Sequence, residues 1–191
     1  AWMGVATCEF VGFDALESDP GPLIVAPNHP AIWDAVFIIS RLGGLTCILK
    51  AALLKNPFLA GGALLAGFIP NEPDHTMVKR AVEVLKSGRK LLFFPEGTRT
   101  RKRENLINEL RGGIALAAKH SGAPVWPVHV TTTSDYLSKG WPIWRLPDRL
   151  VQIRMTVGEP LTFRSNETPQ AFLDRLRAAH QAALEPGGVP A

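Results

Sequence analysis

Residues 23–34 read LIVAPNHPAIWD. Leu23 to Ala26 is a short continuous apolar run, and Pro27 ends it. A run without alternation describes a strand covered on both faces. From Pro30 to Ser40 the side chains are apolar almost all round, which describes a helix deep in the fold. Strand, polar loop Asn28-His29 and buried helix together make one βα unit. Working outward, Leu45 to Leu49 and Lys90 to Phe94 repeat the buried-strand pattern, the second closed by Pro95. Val125 to Val130 and Val151 to Val157 are rich in β-branched residues, and the second alternates. Between them lie helix patterns. Asp74 or Thr76 caps a stripe of Met77, Val78, Ala81, Val82 and Leu85 that stops at Gly88. Gly113 to His120 is closed by Gly122. Thr168 caps a helix with Pro169 in its first turn and Phe172, Leu173 and Leu176 on its buried face. The alternation predicts an α/β fold: one layered domain with a mixed, largely parallel sheet flanked by helices.

Composition sets the bounds. The chain has 191 residues, 46% of them hydrophobic, with 21 Lys and Arg against 17 Asp and Glu. That suits one domain, read as 1–185, with a flexible tail from 186 to 191. Low net charge and ordinary apolar content exclude whole-chain disorder. Cys8 and Cys47 are too few for a disulfide framework or a thiolate zinc site. His75, His120, His129 and His180 have no metal-ligand spacing, so no metal and no cofactor is expected. The start Ala1-Trp2-Met3 carries no signal-like segment and suggests a processed or excised chain. The run Pro57 to Pro70, broken by Gly61, Gly62 and Gly67, is too short to span a bilayer and is expected to be a buried or interfacial segment that contributes reversible membrane attachment, with core packing as its rival. A net charge of +4 favours anionic partners.

Two short motifs carry candidate chemistry. In Asn28-His29-Pro30-Ala31-Ile32-Trp33-Asp34, His29 is the side chain best suited to moving a proton near neutral pH. A carboxylate on its other ring nitrogen fixes the tautomer and stabilises the imidazolium. Residues five apart do not share a helical face. His29 therefore meets Asp34 only from outside the helix, a placement that Pro30 favours. The competing reading has His29 capping a helix and Asp34 paired elsewhere. The second motif, Phe93-Phe94-Pro95-Glu96-Gly97-Thr98-Arg99, also follows a buried strand, where α/β sheets place their sites. Gly97 allows close backbone approach, and Arg99 has the planar fork that grips phosphate. Its competing reading is a turn with solvated charges.

Taken together, the motifs resemble the lysophospholipid acyltransferases, the 1-acylglycerol-3-phosphate acyltransferases and their relatives. Asn28 to Asp34 is similar to the family's Asn-His-x-x-x-x-Asp block. Phe94 to Arg99 matches its Phe-Pro-Glu-Gly-Thr-Arg block, with 67 residues between His29 and Glu96. Pro124 to Val128 looks like a later Pro-Val-x-Pro-Val block. The resemblance implies that His29 is a general base oriented by Asp34, and that an acceptor hydroxyl attacks the thioester of acyl-CoA or acyl carrier protein directly. It implies that Asn28, Glu96, Gly97, Thr98 and Arg99 bind and position substrate. The residues themselves offer no nucleophile: Gly-x-Ser-x-Gly is absent and neither Cys is near His29 in sequence.

One departure stands out. The family has an Arg shortly after its Gly-x-Ile stretch that helps bind the acceptor phosphate. Here Gly67-Phe68-Ile69-Pro70 is followed by Asn71-Glu72. A carboxylate repels a phosphate, so an acceptor without a phosphate monoester, a specialised lipid alcohol or amine, competes with lysophosphatidic acid. Lys79 or Arg80 are the candidate substitutes. A non-catalytic lipid- or carrier-binding module on the same scaffold is the further alternative.

Arg101, Lys102 and Arg103 follow the second motif, a solvated loop or a docking patch for an acyl carrier protein, the CoA phosphates or anionic lipid. No nucleic-acid-binding pattern accompanies them. Tyr136 to Trp144, with Lys139, Arg145 and Arg149 near by, suits a membrane–water interface, with ordinary loop packing as its rival. The expected setting is the cytoplasmic face of a membrane, held peripherally, with membrane lipid as partner.

Overall fold

The computed structural model describes residues 5–50, 68–71, 75–100, 106–136, 138, 140, 141 and 145–185. The strands are β1 (Ala6–Val11), β2 (Ile24–Pro27), β3 (Thr46–Lys50), β4 (Ile69–Asn71), β5 (Leu91–Leu92), β6 (Val125–Thr132) and β7 (Val151–Val157). The helices are α1 (Phe13–Ser18), α2 (Trp33–Arg41), α3 (His75–Lys86), α4 (Gly113–Ser121) and α5 (Pro169–Leu184). The strands make one sheet in the order β1-β7-β6-β2-β5-β3-β4. Neighbours are parallel except for β6 and β7, which run antiparallel from Val128↔Val157 to Thr132↔Ile153. The mixed, largely parallel sheet foreseen from the apolar runs is the one observed.

The buried strands explain why the sheet has helices on both sides. On β2, Ile24 and Ala26 join a core with Ala81 and Leu85 of α3, Ile114 and Ala118 of α4 and Phe172 and Leu176 of α5. Leu23 and Val25 join a second core with Phe13 and Leu16 of α1 and Ile38 of α2. Side chains alternate along a strand, so β2 feeds both cores. Fully burying one such aliphatic side chain contributes about 1.5–3 kcal/mol.

The helix ends follow local chemistry. Thr168 accepts the Ala171 N–H at 3.2 Å and Pro169 opens α5. Gly122 takes the left-handed conformation that closes α4. Helix α2 begins at Trp33, three residues later than the apolar pattern indicates, because Asn28 to Ile32 is occupied by the site loop. Pro127 is accommodated inside β6 because β7 has ended opposite it: Val128 pairs with Val157, and the next contact is the Gly158 N–H donating to the Pro127 carbonyl. Strand β5 is shorter than its apolar run, though the Phe93 N–H still donates to the Val25 carbonyl. The sequence reading did not include β1, α1 or β4. The tail from residue 186 lies outside the described residues.

Helix α5 is fastened to β6 by a polar contact inside the first core. Nδ1 of His129 and Nδ1 of His180 are 3.2 Å apart, and both rings are buried. One nitrogen donates and the other accepts, so the pair requires that at least the accepting ring be neutral. Burial pushes His129 down to about 4. Burial, then the His129 ring, pushes His180 down to about 3, with the Ala26 carbonyl acting the other way. An unfolded chain takes up these protons near pH 6.5. The contact's stability is therefore fully present above that pH and is lost as pH falls towards 4. Thermal unfolding followed across pH 4 to 8 should show Tm falling on the acid side, and the fall should be shallower in the double variant His129→Leu/His180→Leu. Equal acid slopes in the two proteins would contradict this.

Candidate active site

The site forms where β2 and β5 end. The β2–β6 ladder closes at Pro27↔Val128, and Asn28 then continues it. Its own N–H donates to the Val128 carbonyl at 3.3 Å. Its side chain imitates a backbone: Nδ2 donates to the Val130 carbonyl at 2.9 Å and Oδ1 accepts the Val130 N–H at 2.7 Å. Asn28 is buried, and these contacts fix where the next residue leaves the sheet.

That residue is His29. It lies outside α2, and its ring folds back so that Nδ1 is 3.1 Å from Oδ2 of Asp34, in the first turn of the helix. The same Oδ2 accepts the Ala31 N–H at 2.9 Å, which locks the loop between ring and helix. Burial pushes the Asp34 carboxyl above the usual carboxylate range, while its bonds to His29 and Ala31 pull it back. An anionic Asp34 can only accept a hydrogen bond, so the neutral His29 ring carries hydrogen on Nδ1 and its lone pair on Nε2. The Phe94 ring lies against the imidazole, with centroids 4.1 Å apart. The His29 side chain keeps 16% of its surface exposed, so the ring is reachable.

The second motif loops over the same point. Pro95 and Glu96 are buried. Gly97 has φ +64°, and a Cβ there would lie 3.3 Å from Cγ of Arg111, so both torsion and space favour glycine. The Gly97 N–H donates to the Phe94 carbonyl at 3.1 Å, closing the turn. Glu96 faces the protein. Oε1 accepts the His29 N–H at 2.9 Å and Oε2 accepts the Asn108 N–H at 2.9 Å. The Thr100 hydroxyl reaches both oxygens, at 2.9 and 3.0 Å. The Thr100 N–H donates to the His29 carbonyl at 2.8 Å. Burial raises the Glu96 carboxyl, and the Asn108, His29 and Thr100 donors oppose that rise.

The structure thus joins His29, Asp34 and Glu96 in one hydrogen-bonded cluster, with Asn28 anchoring the chain just before it to β6. Asn28 and Glu96 spend their polar atoms on the protein, whereas the ring of His29 faces outward. Thr98 is part-buried in the same turn. Arg99 Nη1 donates to the Ser138 carbonyl at 2.9 Å, and the Arg99 carbonyl accepts from Asn108 Nδ2 at 3.3 Å. Arg101, Lys102, Arg103, Glu72 and the run from Pro57 to Gly67 lie outside the described residues, while Asn71 closes β4. Lys79 and Arg80 are on the exposed face of α3. Of the aromatic stretch, Tyr136 packs edge-on to Trp141, whose Nε1 donates to the Arg145 carbonyl. Sequence reading missed Thr100 and Asn108. Thr100 directly follows the motif, but Asn108 acts on Glu96 through a backbone N–H, which leaves no mark in residue type.

No set of His, Cys, Asp or Glu among the described residues is arranged to hold a metal ion. Burial pushes both thiols up to about 12, with Asp34 and Glu9 adding to the effect at Cys8, so neither exists as a nucleophilic thiolate at neutral pH.

His29 and Asp34 thus form a His–carboxylate pair at the end of a parallel strand of an α/β sheet, with no activated thiol among the described residues. The family model described as Acyltransferase matches residues 10–131, and the chain belongs to that family. It is 32% identical over 128 residues to a 1-acyl-sn-glycerol-3-phosphate acyltransferase of Pseudomonas aeruginosa, covering 63% of this chain and 48% of the relative. It is 27% identical over 141 residues to a lyso-ornithine lipid O-acyltransferase of the same organism, covering 70% of this chain and 54% of that protein. The fold is shared with the crystal structure of the 1-acyl-sn-glycerophosphate acyltransferase of Thermotoga maritima. The TM-score is 0.76 and the identity 20%, with 94% of this chain and 72% of that chain covered. The chain spans roughly half, or less, of the length of the curated relatives it matches.

Proposed function

We propose that this domain is an O-acyltransferase of the 1-acylglycerol-3-phosphate acyltransferase type, working by a His29–Asp34 general base. The observation that carries the reading is the 3.1 Å contact between His29 Nδ1 and Asp34, which leaves Nε2 as the proton acceptor. Nε2 takes the proton of the acceptor hydroxyl as its oxygen attacks the thioester carbonyl of acyl-CoA or acyl carrier protein. The tetrahedral intermediate breaks its C–S bond, and the departing thiolate takes the proton back from His29. Asp34 stabilises the imidazolium between the two transfers. No step requires a metal or a bound cofactor. Asn28 and Glu96 position His29, while Gly97, Thr98 and Arg99 line the approach for substrate polar groups. The basic run Arg101-Lys102-Arg103 serves as the dock for the anionic donor. His29→Ala should lower turnover by about 10²–10⁴ while the protein stays folded, and Asp34→Asn should cost no more. Near wild-type turnover in folded His29→Ala would overturn the mechanism.

A second reading changes only the acceptor. It is favoured by Asn71 and Glu72 standing where the family carries its phosphate-binding Arg, and by the relative named for a lyso-ornithine lipid. A phosphate monoester carries about −1.5 to −2 charge at pH 7 and is best held by more than one cation. With one acyl donor, lysophosphatidic acid should be turned over more slowly than an acceptor with less negative charge, such as a lyso-ornithine lipid. If lysophosphatidic acid wins and Lys79→Ala or Arg80→Ala raises its KM, the helix supplies the cation and the first reading stands unmodified.

The working position is the cytoplasmic face of a membrane, held peripherally. No helix among the described residues is long and apolar enough to cross one. Leu146 and Leu150 are 66% and 47% exposed, and Arg145 and Arg149 beside them are exposed too, a pattern suited to an anionic lipid surface. Flotation with anionic vesicles should recover the protein at low salt and lose part of it at high salt. Leu146→Asp/Leu150→Asp should weaken recovery at both. A protein that never floats would refute attachment by this surface.

A further inference from the structure

We infer that Thr100 is a positioning residue for the general base, acting through the charge of Glu96; the inference rests on the His29 mechanism proposed above. His29 sits between the last ladder contact of β2 and the first turn of α2, so neither element fixes its peptide groups. The second motif does so instead. Glu96 Oε1 takes the His29 N–H at 2.9 Å, and the Thr100 N–H takes the His29 carbonyl at 2.8 Å. Residue 29 is gripped at both ends from a loop about seventy positions away in the chain.

The grip depends on a carboxylate that is 1% exposed. A buried carboxylate accepts strongly from N–H groups while it is anionic and gives up that capacity when protonated. Among the described residues, three donors hold the charge in place: the backbone N–H groups of His29 and Asn108, and the Thr100 hydroxyl, shared between both oxygens. The hydroxyl is the one of the three supplied by a side chain. Of the titratable groups packed round Glu96, the His29 ring acts on its charge. Arg99 is turned to the Ser138 carbonyl, and the Arg111 side chain lies over Gly97. Removing the Thr100 hydroxyl withdraws support from the anion, so Glu96 protonates at higher pH and the His29 N–H loses its charged partner.

The test compares Thr100→Val, which keeps the shape and loses the hydroxyl, with Thr100→Ser, which keeps the hydroxyl. The best acceptor of the panel above is used with one acyl donor. Thr100→Val should lose roughly tenfold in kcat with KM changed less than twofold. The acid limb of its pH profile should move to higher pH, and Thr100→Ser should restore both. The amide resonance of His29 gives a readout free of substrate: by NMR it should titrate with Glu96, and the midpoint should rise in Thr100→Val. If Thr100→Val does not fold, Thr100→Ala against Thr100→Ser carries the same comparison. An unmoved pH profile and amide titration, or failure of Ser to restore them, would overturn the role. His29→Ala separates the two claims. If it is inactive while Thr100→Val behaves as wild type, the base stands and the brace falls.

Discussion

The rest of the site depends on one buried carboxylate. Glu96 has no solvent to stabilise it, and it survives as an acceptor because three donors converge on its two oxygens. Through them it joins the loop after β5, the loop after β2 and the segment before α4. A buried charge with one partner removed is costly, so these segments keep their relative positions or lose the arrangement together. Residue 29 inherits its backbone position from an acid that itself faces inward.

The sheet supplies the other half of the precision. Parallel strands β5 and β2 end within two residues of each other while β6 runs on beside them, and the chain leaves β2 and β5 there as short polar loops. Asn28 extends the ladder one step past Pro27, a residue that cannot itself donate a backbone hydrogen bond. The imidazole is therefore set by sheet hydrogen bonds below it, helix α2 beside it and the Glu96 loop over it. Each acts on a different part of residue 29: Asn28 on its point of departure, Asp34 on the ring, Glu96 and Thr100 on the peptide groups. Rigid elements hold such a centre better than loops alone.

Much of this was legible in the sequence. Leu23 to Ala26, Val125 to Val130 and Val151 to Val157 announce strands because burial on both faces demands unbroken or β-branched apolar runs. Thr168-Pro169 and Gly122 announce helix ends because each solves a local backbone problem. The His29–Asp34 pair was legible only conditionally, since spacing alone puts the residues on different helical faces; Pro30 holds His29 outside the helix. Strand β1 was missed because Glu9 and the exposed side of Thr7 to Val11 dilute its pattern at the sheet edge. Helix α1, with six residues, and β4, with three, are too short to show a period. The parts played by Thr100 and Asn108 rest largely on N–H groups that every residue except proline possesses.

The outer strand pair has a consequence for how the molecule is made. Residues Ala6 to Val11 find their partner in Val151 to Thr156, near the opposite end of the described chain. At about 5–20 residues per second, a ribosome takes on the order of 10–30 s to bridge that gap. Until β7 emerges β1 has no edge to join, whereas β2, β3 and β5 can pair once Leu91 and Leu92 have been made. Closing so large a loop is slow, and an unpaired strand with Phe10 and Val11 is open to pairing with the wrong chain. Glu9 lies in the middle of that strand. A charge at such a position disfavours pairing with the wrong chain, and in the finished sheet it meets Arg154 of β7 at 3.2 Å.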